Sequence, residues 1–308
     1  MEQPHGLLAP FWRYVIAGQQ VVSDRPIAAL APLAVATPGA AGQVAQFVMP
    51  PMPATLISRV TAWVAGEWRK VACSRAGESG YLLYVEGIGA FAIKTEGSAI
   101  VFTSPESDNI DSSLIEDALL GPALSLALAA RQIFCLHASA WLVNRHAVAL
   151  IGESGAGKST LATYVSSHLA GWRRLADDTL PVAMTATGPM AFPRFPQLKL
   201  PIDQQVGAET PEQIPLGAVF LLDAATSSLS PALEVLDRRS AASLLVKHTM
   251  ATSLFDAPLL AAHINFCASA AAVTPVKRLR YPHEPTSLPR ALDLMAADGE
   301  LALPRDRQ

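Results

Sequence analysis

The pattern of apolar and polar positions is sharpest between Ala147 and Leu169. Ala147 to Ile151 are all apolar and run straight into a glycine-rich turn, after which Leu161, Val165 and Leu169 recur every four residues. The unbroken run predicts a strand buried on both faces. The four-residue recurrence predicts one face of an amphipathic helix. Just upstream, Ile133 to Val143 predicts another strand, which turns at Asn144-Arg145 and returns antiparallel as the Ala147–Ile151 strand. Downstream, a short apolar strand follows Trp172 and ends in Asp177-Asp178. Met190 to Leu200 is broken by Pro193 and Pro196, which predicts an edge strand or a loop. Gly217 to Leu222 predicts a second buried strand, and residues 238–272 read as helical with a break near Asp256 to Pro258. Val276 to Tyr281 predicts a last strand, and Ser287 the cap of a last helix with Pro289 in its first turn.

The N-terminal third has a different texture. Phe11 to Ile16, Val44 to Met49, Tyr81 to Val85, Phe91 to Ile93 and Ala99 to Phe102 predict strands, punctuated by Gly87, Gly89 and Gly97. Short spacing between the later ones predicts an antiparallel meander. Gly87-Ile88-Gly89 is too short for a dinucleotide fingerprint and reads as a turn. Ser113 and Glu116 have capping-box spacing, so a helix should start there, with Pro122 kinking or splitting it. The polar cluster from Ser104 to Asn109 suggests a boundary. The expected organisation is a small β-rich domain over residues 1–111 and an α/β domain over 112–308.

Composition narrows the function. The chain has 308 residues, enough for two domains, and its net charge of −3 argues against a nucleic-acid binder relying on bulk positive charge. The basic clusters Arg173-Arg174, Arg238-Arg239 and Lys277-Arg278-Leu279-Arg280 read as solvated faces. Three widely spaced cysteines, Cys73, Cys135 and Cys267, match no zinc spacing and suit buried thiols in a reducing compartment. The uncharged apolar segment Ala118 to Ala130 is shorter than the roughly 20 residues that span a bilayer. The N-terminus lacks a charged region followed by an apolar stretch. A cytoplasmic protein, with neither a membrane nor a nucleic-acid partner, is the expectation.

The turn carries the candidate chemistry. Gly152, Glu153, Ser154, Gly155, Ala156, Gly157, Lys158, Ser159 and Thr160 follow the Walker A spacing of a phosphate-binding loop. Glycines let successive N–H groups converge on phosphate oxygens, and the helix behind adds its positive dipole end. Lys158 supplies a charge for the outer phosphates, and the Ser159 hydroxyl is suited to magnesium. A glycine-rich turn that binds nothing is the alternative, but a lysine between glycines at a helix start is poor core material.

Asp177 and Asp178 are the second anchor. Magnesium at the loop serine needs a carboxylate from a neighbouring strand end. A hydroxyl acceptor needs a base for its proton. Consecutive side chains on a strand point to opposite sides, so each aspartate could take one task. A plain strand-to-turn boundary is the competing reading. For His137, a hydrogen-bonded core residue and a partner that orients an aspartate are equally good readings.

Three blocks in order, His137 to Ala140, Gly152 to Ala162 and Leu175 to Asp178, resemble the catalytic core of HPr kinase/phosphorylase. They resemble more closely the HPr-kinase-like proteins of peptide-modification clusters, such as lasso-peptide kinases. The resemblance implies an α/β P-loop fold related to phosphoenolpyruvate carboxykinase. It also implies ATP and Mg2+ as cofactors and phosphorylation of a serine in a peptide or protein. It makes His137, Asp177 and Asp178 catalytic beside Lys158, with one of the two aspartates as general base; the sequence does not distinguish them, and the choice made here is Asp178 as base and Asp177, with Ser159, as metal ligand. It further implies a homo-oligomer, although no interface is legible. Phe195 to Pro201 stands where HPr kinases carry a glutamate-arginine-glycine signature, so the resemblance does not extend to HPr as substrate or to the phosphorylase reaction. Arg194 and Lys199, in the same stretch, could neutralise a transferring phosphate or could be exposed cations on an edge strand. A kinase for a small-molecule hydroxyl and a non-catalytic ATP-binding scaffold are the rival functions.

Overall fold

The computed structural model describes residues 12–35, 55–103, 110–200, 204–207, 209–225, 231–282 and 284–298. It is a mixed α/β structure with a strand-rich N-terminal region and a curled sheet. Strands β1 (Trp12–Ile16) and β2 (Gln19–Ser23) form an antiparallel hairpin. Strands β3 (Thr55–Val64), β4 (Glu67–Ala76), β5 (Gly80–Val85), β6 (Gly89–Lys94) and β7 (Ile100–Thr103) form a five-stranded meander in chain order. The meander is the expected one, lengthened by β3 and β4, which the pattern reading missed. Exposed Arg59, Thr61 and Trp63 alternate with half-buried neighbours on β3, so no continuous apolar run marks it. Ala65 and Gly66, with φ of 51° and 78°, close the hairpin in the left-handed conformation that two-residue turns require. Val44 to Met49 and Ser104 to Asn109 lie outside the described residues.

Helices α1 (Ser112–Ala118) and α2 (Leu124–Ala130) flank a π-type turn at Leu119–Ala123 that contains Pro122. The turn absorbs the proline without ending the helical run. The capping box does not form. Asp111 is the cap instead, accepting from the Ser113 N–H at 2.9 Å. The whole run, Ser112–Ala130, is 19 residues long and apolar enough by length and composition to cross a membrane. That is longer than the apolar segment counted from sequence. Half of it is buried inside the protein, where Leu126, Ala127 and Ala129 join the main core.

The remaining strands are β8 (Phe134–His137), β9 (Ser139–Val143), β10 (His146–Gly152), β11 (Arg173–Ala176), β12 (Thr179–Thr185), β13 (Gly188–Ala191), β14 (Ile214–Ala225), β15 (Ala232–Val235) and β16 (Val276–Pro282). Helices α3 (Lys158–His168), α4 (Arg238–Lys247), α5 (Ala257–Val273) and α6 (Leu288–Ala296) intervene. Nine strands make one sheet in the order β11-β9-β10-β14-β13-β12-β8, with β16 beside β14 and β15 beside β16. β10 is parallel to β14 and antiparallel to β9, so the strand before the glycine-rich turn does have the antiparallel neighbour expected. Met190 and Ala191 belong to β13, which lies between β12 and β14 and is not an edge strand. Pro193 and Pro196 fall beyond its last residue, in a loop, where no ladder bond is lost to them. Ser287 precedes α6 but makes no side-chain cap. Nor is the last basic cluster wholly solvated, because Lys277 is buried and donates to Asp298 at 2.6 Å.

The run from Ile133 to Val143 is two strands. At Ala138 the chain leaves β8, paired with β12, and enters β9, paired with β10 and β11. Asp177 and Asp178 make the same crossing from β11 to β12. The two crossings are stitched together, Ala138 N–H to the Asp178 carbonyl at 3.1 Å and Ser139 hydroxyl to the Asp177 carbonyl at 2.9 Å. The curl of the sheet therefore brings His137 and both aspartates to one point.

β10 is buried on both faces. Ala147, Ala149 and Ile151 face a core shared with Val71, Leu83, Phe91 and Phe134, while Val148 and Leu150 face Leu161, Val165 and Phe220. Against Phe134, Phe255 and Cys267 of the first core, His263 is fully buried, its Nε2 3.2 Å from the Cys267 sulfur. Burial pushes its pKa down from 6.5 to about 4. Below pH 6.5 the unfolded chain therefore takes up a proton that the folded chain refuses. This contribution to stability is complete above that pH and falls by about 3 kcal/mol on the way to pH 4. Chemical denaturation across this range should show the slope, and His263→Phe should flatten it.

Candidate functional site

The site is built from the end of β10 outward. A Cβ on Gly152 would lie 2.9 Å from the Leu222 carbonyl oxygen, so only glycine lets β10 come this close to β14. Gly155 and Gly157 have φ of 80° and 89°, and α3 begins directly after them. Gly152→Ala must push backbone against backbone. We expect it to lower stability by about 1–3 kcal/mol in thermal melts.

Ser154, Gly155, Gly157, Lys158, Ser159 and Thr160 border a cavity of about 360 Å³. Its other walls carry His137, Asp177, Asp178 and Lys199. Glu153 and Ala156 are turned elsewhere, Glu153 to an exposed ion pair with Lys247 and Ala156 into the core. Lys158 Nζ donates to the carbonyls of Gly152 at 2.6 Å and Glu153 at 3.0 Å. Burial lowers its pKa, opposed by the nearby Asp178 carboxylate.

Asp178 Oδ1 accepts from Lys199 Nζ at 2.7 Å and lies 3.3 Å from His137 Nδ1. Burial lowers the His137 pKa from 6.5, against the pull of Asp178. With its pKa below 6.5 the imidazole is mainly neutral at pH 7, so its approach to Asp178 is not a pairing of full charges. Asp177 is held by Arg174, which is half-buried rather than solvated. Arg194 is not brought to the cavity. Its guanidinium donates to the Thr210 carbonyl at 2.6 Å and to Glu212 at 3.1 Å.

No family model matches the chain, and no curated protein does. Among solved structures it is similar to the HPr(Ser) kinase/phosphatase from Coxiella burnetii, with a TM-score of 0.32 and 11% identity over 55% of this chain and 99% of that one. A likeness of that depth transfers neither activity nor residue roles.

Sequence reasoning missed Gln197. This buried side chain accepts from the Asp177 N–H at 2.9 Å and the Asp178 N–H at 3.3 Å, and donates to the Thr179 carbonyl at 2.8 Å. It clamps the turn that presents both carboxylates. An amide between Pro196 and Leu198 was the available signal. His248, whose carbonyl accepts from the His137 N–H at 2.8 Å, had none.

The donor set fits magnesium. Among the described residues no group of three or more His, Cys, Asp or Glu could hold a metal. Magnesium commonly takes only one or two carboxylates and completes its shell with phosphate oxygens and water. One hydroxyl, Ser159, and the carboxylates on the same cavity wall are of that kind.

Proposed function

We propose that the chain is an ATP-dependent kinase that phosphorylates a serine hydroxyl of a peptide or protein. The observation that carries this reading is the meeting, in one cavity, of the glycine-rich turn with Lys158 and Ser159 and of Asp177, Asp178, His137 and Lys199. Residues 152–160 cradle the phosphates through backbone N–H groups, in the manner of a P-loop. Ser159 and Asp177 would hold magnesium, which neutralises charge on the phosphates. Asp178 takes the proton of the acceptor hydroxyl as its oxygen bonds to the γ-phosphorus and the bond to the β-phosphate oxygen breaks, releasing ADP. Lys158 and Lys199 stabilise charge on the transferring group. His137 orients Asp178.

The test is transfer of label from γ-labelled ATP into a peptide pool and, separately, a metabolite pool. Label on peptide serine that disappears when EDTA removes magnesium is the expected result. Label confined to metabolites would replace the acceptor class, and ATP binding without transfer to either pool would overturn the kinase reading.

A further inference from the structure

The basic pair Arg173-Arg174 borders a second cavity of about 400 Å³, whose walls also carry Trp172, Gln205 and Glu209. Its size suits a small ligand. Of its charged residues, Arg173 lies near the Glu209 carboxylate, which also accepts from the Gly207 N–H and the Thr210 hydroxyl, each at 3.3 Å. Arg173 is the exposed cation of the wall, and Arg174 is paired outside it with Asp177. Trp172 is half-buried and held against Trp141 at a ring separation of 6.0 Å, so it offers a fixed aromatic surface.

Two links run from this cavity to the first. Arg174 pairs with Asp177, and its buried Nε has no hydrogen-bond partner among the described residues. Gln205 exchanges hydrogen bonds with the Gln197 backbone at 3.1 and 3.3 Å, and Gln197 clamps the Asp177–Asp178 turn. We propose that the second cavity binds an oxyanion carried on a planar ring, and that its occupancy is coupled to the first cavity through Arg174. The ring lies on Trp172 and the oxyanion meets the arginines. An oxyanion that draws on Arg174 loosens its hold on Asp177 and frees that carboxylate toward magnesium. The coupling, unlike the binding, rests on reading the first cavity as a nucleotide site.

Phenyl phosphate is the probe, titrated calorimetrically into the full chain carrying Lys158→Ala to disable the loop. Saturable binding, weakened roughly tenfold by the exposed-site change Arg173→Ala, is expected. No binding, or binding indifferent to Arg173→Ala, would overturn the site. Displacement of the probe by a tetraglutamate peptide would place the oxyanion on a polypeptide, and displacement by benzoate alone on a free small molecule; either supports the site. In the wild-type chain, saturating probe should tighten Mg·ADP binding about fivefold, and ADP should tighten the probe by the same factor. Unchanged or weakened ADP binding sinks the coupling. ADP that fails to bind at all sinks the nucleotide reading and leaves the first titration standing.

Discussion

Asp178→Asn should lower phosphoryl transfer by about 10²–10⁴-fold, the range a positioned general base contributes. Asparagine keeps the shape of the side chain and can still receive a hydrogen bond from Lys199, but it cannot take up the acceptor proton. The fold should survive. The Lys199–Asp178 pair is part-exposed, with 59% of the lysine side chain accessible, so its loss costs less than about 1 kcal/mol. Thermal melting should therefore stay close to wild type while single-turnover transfer collapses, and ATP should still bind. Wild-type transfer by the purified variant would remove Asp178 from the proposed role, and a scaffold that uses ATP only as a ligand would tolerate the change in every assay.

Gln197→Ala should act on both stability and transfer. It strips the acceptor from the Asp177 and Asp178 N–H groups and the donor from the Thr179 carbonyl, at a residue only 2% exposed. Buried groups left without partners cost about 1–3 kcal/mol each, so about 4 kcal/mol in all is expected from denaturant titration. Gln197→Glu keeps the acceptor and loses the donor, and should recover part of that loss. Because the same turn presents both carboxylates, transfer should fall in the folded fraction as well. A variant as stable as wild type would show that the clamp is not needed to hold the turn.

Much of the fold was legible where one element carries its own signal. The Ala147–Ile151 strand, the α3 helix and the β16 strand each follow from a local run or period, because burial on one or two faces leaves a pattern in consecutive residues. β3 was not legible, since a strand with an exposed face studded with Arg59, Thr61 and Trp63 has no apolar run. Nor was the break at Ala138. The backbone there changes partner strands, which is a property of the neighbours and not of the residues.

The sequence by itself determined the chemistry available: a glycine-rich turn with Lys158 and Ser159, two adjacent carboxylates and a nearby histidine. Glycine spacing sets backbone conformation locally, and side-chain type sets what each group can donate or accept. Only the tertiary structure decided which of these groups share a cavity. It admitted Lys199 and left Arg194 bound to Thr210 and Glu212, although both come from one proline-broken stretch. It also placed Gln197 under the aspartate turn and Arg174 between two cavities. Such placements depend on how the sheet curls and where two crossing segments meet, and no run of consecutive residues encodes a contact between positions far apart in the chain.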